Sequence, residues 1–491
     1  RRITLYGDET HWWVFNDKGN IHTETNGDPI GMEIRAQAFA FATNDEVNRM
    51  TFYNYELINR GTQTLYNTYF SQYLDADIGN YTDDYVGCDV SRGLGYALNG
   101  DLIDQADGGK PGYGENPPAI GCDFFEGPYQ DADDIDNPGP YFNEETGQMV
   151  VPSVTDALAN NGIVYKGVGI GYSDSIIDNE RFGMRRFTYY TSTSAPPYND
   201  PSNAAEYYNF MQGNWANGSD MFYGGLGYTG STGASTVLSD YMFPGLSDPL
   251  NWATGGVDMS SAFPDGWFES TNNNPPADRR FVQSAGPFTL KPGAINNITV
   301  GIVFGRSTDG DLYASVEAMK QADTKAQALF DACFKILSPP DAPRLTIQEL
   351  ENELILTIDN PSSSNNFEEA YEELDEINIA DPTVDRYYRF EGYQIYQLKD
   401  VETSVADISD PEKARLVAQC DIENDIDRII NFDFDEALGF SIPVEMVDGS
   451  NNGIRHSFKL TEDKFAQGSP TLVNHKTYYY VAVAYAYNQF K

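Results

Sequence analysis

The chain has 491 residues, of which 74 are acidic and 31 basic, giving a formal net charge of -43. No basic stripe is long enough to neutralise a phosphate backbone, which argues against nucleic acid and anionic membranes as partners and favours divalent cations, because cations relieve carboxylate self-repulsion. With 40% hydrophobic and 13% aromatic residues the chain can bury two or more cores. No apolar run reaches the roughly 18 residues that a membrane span requires. The first residues, Arg1-Arg2, carry neither an initiator Met nor an apolar leader, so the chain reads as a mature or excised portion of something longer.

Taken in order, the first periodic stretch is Met32 to Ala42, in which Glu33, Arg35 and Gln37 alternate with Met32, Ile34, Ala36 and Ala38, as expected of a half-buried strand. A second strand runs from Met50 to Ile58 and closes on the turn Asn59-Arg60-Gly61. From about 75 to 280 the chain is dense in Gly, Asn, Asp, Pro and Tyr. Short apolar runs such as Gly162-Ile-Val-Tyr165 and Arg186-Phe-Thr-Tyr-Tyr190 interrupt it, a texture that predicts long ordered loops with aromatic anchors. The run Gly286 to Gly293 followed by Asn297 to Phe304 predicts a hairpin turning at Lys291-Pro292-Gly293. Residues Asp311 to Phe334 carry Val316, Met319, Ala326, Leu329, Phe330 and Cys333 at helical spacing, and Pro339-Pro340 ends this helix and marks a domain boundary.

The chain thus reads as mainly β: a large loop-rich β-sandwich domain over 1–337 with one long helix, then a small β-sandwich over 338–491. In the second domain Leu354 to Ile358, Gly392 to Leu398 and Thr477 to Tyr485 are strands. Their order, with the Pro-rich entry at Pro339 to Pro343, resembles a fibronectin type III module, interrupted by an acidic insertion from Asn366 to Asp381.

Three acidic clusters are candidate calcium loops, since closely spaced carboxylates with flexible backbone can converge six or more oxygens on a hard cation. The first comprises Asp75, Asp77, Asp83, Asp84 and Asp89 around Gly79. The second comprises Asp131, Asp133 and Asp136, with Asp123 and Glu126 upstream as further ligands; it starts like an EF-hand but lacks the Gly at position six and the Glu at position twelve. The third comprises Asp174, Asp178 and Glu180, where Arg181 offers Glu180 an ordinary ion pair instead.

Catalytic patterns are weak by comparison. The four histidines (His11, His22, His456, His475) form no H-E-x-x-H, no G-x-S-x-G elbow occurs, and Gly167-Val-Gly-Ile-Gly171 leads into Tyr-Ser-Asp rather than a helix. Cys88, Cys122, Cys333 and Cys420 show no C-x-x-C spacing, and two disulfides or four free thiols both remain open. The competing functional class is glycan binding or cleavage, with Trp12, Trp13, Trp215, Trp252, Trp267, Tyr223 and Tyr228 stacking on sugar rings; the bland alternative is that these aromatics pin loops to the core.

Tyr6-Gly-Asp8, Trp13 to Glu24, Ala38 to Asp45, Asp83 to Asp89, Asp178 to Phe187 and Gln283 to Gly293 resemble segments of large Bacteroidota surface proteins, over nearly the whole chain. The resemblance implies export by the type IX secretion system to the outer cell surface, with a C-terminal sorting domain. The resulting expectation is a secreted structural or adhesive protein, not an enzyme, stabilised by calcium and partnered by other surface proteins or copies of itself.

Overall fold

A computed structural model of the chain describes residues 4–43, 46–106, 109–137, 141–143, 148–150, 169–192, 197–375, 385–435 and 440–488. The chain divides into two compact units, 1–327 and 328–491, the division falling inside the long helix rather than at Pro339-Pro340.

The first unit is built on a seven-stranded sheet. Its strands in chain order are β1 (Glu9–Asn16), β2 (Met32–Ala40), β3 (Met50–Asn59), β5 (Asp84–Asp89), β6 (Leu94–Asn99), β7 (Ala119–Glu126) and β10 (Ile295–Gly305), and their order across the sheet is β1-β2-β3-β10-β7-β6-β5. Every neighbouring pair is antiparallel. A second sheet, also antiparallel, contains β4 (Leu65–Asp75), β8 (Arg186–Thr191) and β9 (Arg279–Leu290), with β9 in the middle.

The two sheets face each other across one core. Phe187, Phe281, Ala285 and Leu290 of the smaller sheet share it with Val86, Cys122, Phe124 and Val300 of the larger. At Gly95 the layers touch so closely that a Cβ would lie 2.5 Å from the Gln283 carboxamide and 2.7 Å from the Phe187 ring. Gln283 Nε2 donates to the Cys122 carbonyl at 3.0 Å, a polar tie between layers within an apolar core.

Two helices stand out, α1 (Ala204–Met211) and α2 (Ala314–Asp331). Helix α2 covers the outer face of the large sheet, where Met319 packs on Gly121 and Gly305. Strand β7 therefore alternates between two buried faces: Cys122 and Phe124 point into the sandwich, Gly121 and Asp123 towards the helix. This explains why β5 and β6 are buried at every position and show no apolar–polar alternation. The helix closes on left-handed residues Cys333 and Phe334, with the Phe334 N–H donating to the Leu329 carbonyl at 2.8 Å, so it stops before the prolines are reached.

Several expectations need correction. Gly286 to Phe304 is not a hairpin: β9 pairs with β4 and β8, β10 with β3 and β7, and the turn at Lys291 to Gly293 carries the chain from one sheet to the other. The stretch 75–280 is not uniformly loop, because β5, β6 and β7 supply three strands of the large sheet. Arg186 to Tyr190 does form a strand, whereas Gly162 to Tyr165 lies outside the described residues.

From 197 to 278 the chain is loop-rich and fixed by rings. Trp215 and Trp267 are fully buried; Trp215 packs edge-on against Tyr189 at 5.6 Å and Trp267 against Phe243 at 5.2 Å. Their indole N–H groups donate to the Gly227 and Gly225 carbonyls, each at 3.1 Å. Trp252 and Tyr223 are buried as well. These four aromatics are loop anchors and have no face free for a sugar.

The second unit contains β11 (Arg344–Leu350), β12 (Glu353–Asp359), β13 (Tyr387–Leu398), β14 (Ala414–Asp421), β15 (Ser457–Leu460) and β16 (Tyr479–Tyr487) as its principal strands. One sheet runs β11-β12-β15; in the other, β14 and β16 flank β13. Leu356, Ile358 and Phe458 of the first share a core with Tyr393, Ile395 and Ala482 of the second, making a β-sandwich. The acidic insertion begins as packed structure: Asn366 and Tyr371 are buried, and the Tyr371 hydroxyl donates to the Ser338 carbonyl at 2.7 Å. Its residues 376–381 lie outside the described ones.

The contact between α2 and the sheet gives a direct test. A Cβ on Gly305 would sit 2.2 Å from the Met319 backbone nitrogen. Gly305→Ala is expected to cost about 1–3 kcal/mol by overpacking. In denaturant titration it should lower the midpoint without changing the slope, whereas Gly310→Ala, with open space around it, should be near neutral.

Candidate functional site

The first acidic cluster is split by the fold. Asp75 ends β4, opposite Arg280 of β9, and β9 begins one residue after Asp278. Antiparallel pairing thereby brings Asp75, Asp77 and Asp278 together, with one carboxylate oxygen of each within 4.8 Å of the others; among the described residues no other trio of His, Cys, Asp or Glu converges in this way. Arg280 reaches Asp75 at 3.1 Å, Asp200 at 2.7 Å and Asp278 at 3.3 Å, so a single guanidinium faces several acids. Burial, then the Asp75 charge, raises the Asp77 carboxyl above its ordinary range; burial also raises Asp278, against the pull of Arg280. One oxygen of Asp278 is buried and accepts no hydrogen bond. Three carboxylates, a surplus of negative charge and an unused buried acceptor fit a hard cation.

Asp83, Asp84 and Asp89 are not part of that group. Asp84 to Asp89 is buried strand, not loop. Asp84 accepts from the Ile78 N–H at 3.0 Å, and burial pushes it up to about 8. Asp83 is raised by burial and by the Asp104 charge.

The second and third clusters meet as one seam. Asp178 accepts from the Asp133 and Asp134 N–H groups at 2.8 and 2.9 Å, Asp136 from the Ser175 N–H at 2.8 Å, and Glu180 from the Asn137 N–H at 2.5 Å. Asp174 accepts from the Ile176 N–H at 2.8 Å and Asp133 from the Ile135 N–H at 3.1 Å, both local turns. Asp131 clamps Thr289 of β9 through its N–H and its hydroxyl, each at 2.6 Å. These carboxylates are engaged mostly by backbone and side-chain donors, one buried oxygen of Asp136 accepts no hydrogen bond, and they do not converge on a point. Arg181 pairs with Glu126 at 3.2 Å and lies 3.7 Å over the Tyr129 ring, rather than neutralising Glu180.

Beneath α2 lies a charged cluster that the sequence did not reveal. Asp123 of β7 and Asp323 of α2 are each 1% exposed and hydrogen-bond one another. Arg92 reaches Asp323 at 3.2 Å; Lys320 reaches Asp89 at 3.2 Å; Thr324 accepts from Arg92 at 3.0 Å. Burial, reinforced by the Asp323 charge, raises Asp123 far above the carboxylate range, while Arg92 limits the rise of Asp323 to about 6. Burial disfavours a charge on both carboxyls, and the Arg92 guanidinium favours the charged form on the Asp323 side. Asp123 and Glu126 are therefore not ligands of the second cluster.

The signal for Asp278 was absent locally, because it has no acidic neighbour within the next two residues and acquires its partners only through the β4–β9 register. Asp323 sits on the covered face of an amphipathic helix, where the residue type itself was the available clue.

Compared with known proteins, the chain matches no family model, no curated protein and no solved structure.

The buried pair has a signed pH dependence. An unfolded Asp releases its proton near pH 4, whereas the native pair retains it, so the stability contributed by the proton is complete below about pH 4 and is lost as pH rises through the native value. Asp123→Asn cannot ionise and escapes that loss. Relative to the variant, the unmodified chain should lose up to about 1.4 kcal/mol per pH unit from roughly pH 4 upward until the pair ionises. Denaturant unfolding of both proteins between pH 4 and 8 measures the difference.

Proposed function

We propose that this chain is a structural or adhesive protein of the outer cell surface, stiffened by calcium at Asp75, Asp77 and Asp278 and working as a protomer among copies of itself or other surface proteins. The convergence of these three carboxylates supports the calcium part. The ion would tie the end of β4 to the start of β9, bracing the smaller sheet on which the long loops rest. On this reading the second unit is a fibronectin type III-like spacer between neighbours, and the Bacteroidota resemblance supplies the route outward, type IX secretion. Of the aromatics first considered for sugar stacking, Trp215, Trp252 and Trp267 are occupied in packing and support the structural class, while Trp12 and Trp13 are exposed.

Extracellular calcium sites bind with dissociation constants of about 0.1–1 mM. At ten times such a constant, calcium should add about 1.4 kcal/mol to stability. Thermal melts with and without chelator, together with calorimetric titration, should show this shift in the native chain and its loss in Asp278→Asn. Substituting Asp136 or Asp178 should weaken the loop seam without changing the calcium response. An unchanged melt in chelator, with no metal by elemental analysis, would refute the calcium assignment.

A further inference from the structure

The large sheet has two edges and the fold treats them differently. At β5 the edge is sealed: Val86 N–H donates to Glu269 at 3.0 Å, Cys88 N–H to the Phe243 carbonyl at 3.2 Å, and the Ala277 N–H to the Asp84 carbonyl at 3.2 Å. At β1 nothing among the described residues pairs with the outer edge. Yet β1 (Glu-Thr-His-Trp-Trp-Val-Phe-Asn) has exposed apolar side chains on both faces, with Trp12 at 47%, Trp13 at 39%, Val14 at 45% and Phe15 at 44%. It carries none of the Lys, Pro or bulges that keep edge strands apart, and its register with β2 is unbroken.

The hydrogen-bond phase fixes which residues face outward. The Asp17 N–H donates to the Met32 carbonyl, and the Arg60 N–H to the Gly31 carbonyl. The even residues of β2 therefore bond the odd residues of β1, leaving the backbone groups of Thr10, Trp12, Val14 and Asn16 turned to the open edge.

We infer that β1 is a self-association edge, pairing antiparallel with β1 of a second copy across a two-fold axis; this deepens the protomer reading and rests on it. In such a pair, residues directly opposite share a face, so the axis passes through a residue, either Trp12 or Trp13. The Trp13 register sets Glu9 against Asp17 of the second copy, acid against acid. The Trp12 register sets Glu9 against Phe15, Thr10 against Val14 and His11 against Trp13, with no like charges opposed. Thr10, Trp12 and Val14 then exchange N–H and carbonyl bonds with the second copy. Charge selects the occupant as well: in a chain of net charge -43, β1 holds one acid in eight residues, so it is a strip along which two copies can approach. The apolar rings on both faces continue across the joint.

Sedimentation of the whole chain from about 1 to 100 µM, the weak end of interface affinities, should reveal a dimer. Trp12→Glu and Val14→Lys, both at exposed positions and checked for native melting, should each weaken it at least tenfold. In a Cys333→Ser background, Trp12→Cys should be joined to itself by a short bifunctional maleimide, whereas Val401→Cys should not. A dimer indifferent to both edge variants overturns the edge pairing and leaves the protomer reading standing on another surface. A chain that stays monomeric throughout, with and without calcium, overturns both. Glycan binding lost in Trp12→Glu without any dimer overturns the edge pairing in favour of a sugar.

Discussion

Glu269 ties three parts of the first unit together. Its carboxylate is fully buried, 2.7 Å from the equally buried Arg279, and it also accepts from the Val86 N–H on the edge strand β5. Burying two charges is costly unless every lone pair and proton is used, and here Arg279 also donates to the Pro275 carbonyl. One ion pair thus joins the smaller sheet, the long loop and the rim of the larger sheet. Around it, Tyr189, Phe243, Trp267 and Tyr223 form a continuous run of ring contacts. The loop forms few strands, and this charge and these rings hold it down together with backbone bonds such as those from the Tyr223 N–H to the Val237 carbonyl and from the Met242 N–H to the Phe187 carbonyl.

The acidity that dominates the composition serves several physical roles. In the seam between 131–137 and 174–180, carboxylates accept from backbone N–H groups that loop geometry would otherwise leave without partners. Under the helix, one shared proton lets Asp123 and Asp323 sit together in the dry interior. In the second unit, burial pushes Glu391 up to about 7 while Asn424 donates to both its oxygens. At Asp75, Asp77 and Asp278, one carboxylate oxygen of each gathers within 4.8 Å of the others. Net charge alone does not distinguish these cases; the neighbours of each carboxylate do.

The strands facing solvent on one side were legible from alternation, as at Met32 and Met50, and the helix from its spacing. Strand β5 was not, because both of its faces are covered and its acids resembled a loop. The apparent hairpin at Lys291 misled because a tight turn looks the same whether its strands pair or separate into two layers. Of the candidate ligands, Asp75 and Asp77 were found by local spacing, while Asp278 depended on a register some 200 residues away in sequence, which no local pattern encodes. The seam between the second and third clusters was hidden for the same reason.

All four cysteines are unpaired; Cys88, Cys122 and Cys420 are buried, and burial raises each of these thiols above its ordinary value. Such thiols are poor nucleophiles, shielded from exchange. No sulfur bridge therefore ties the described residues together, and hydrogen bonds, ion pairs and packing hold them. An oxidant in the surroundings meets a single accessible thiol, Cys333, at the turn that ends the long helix.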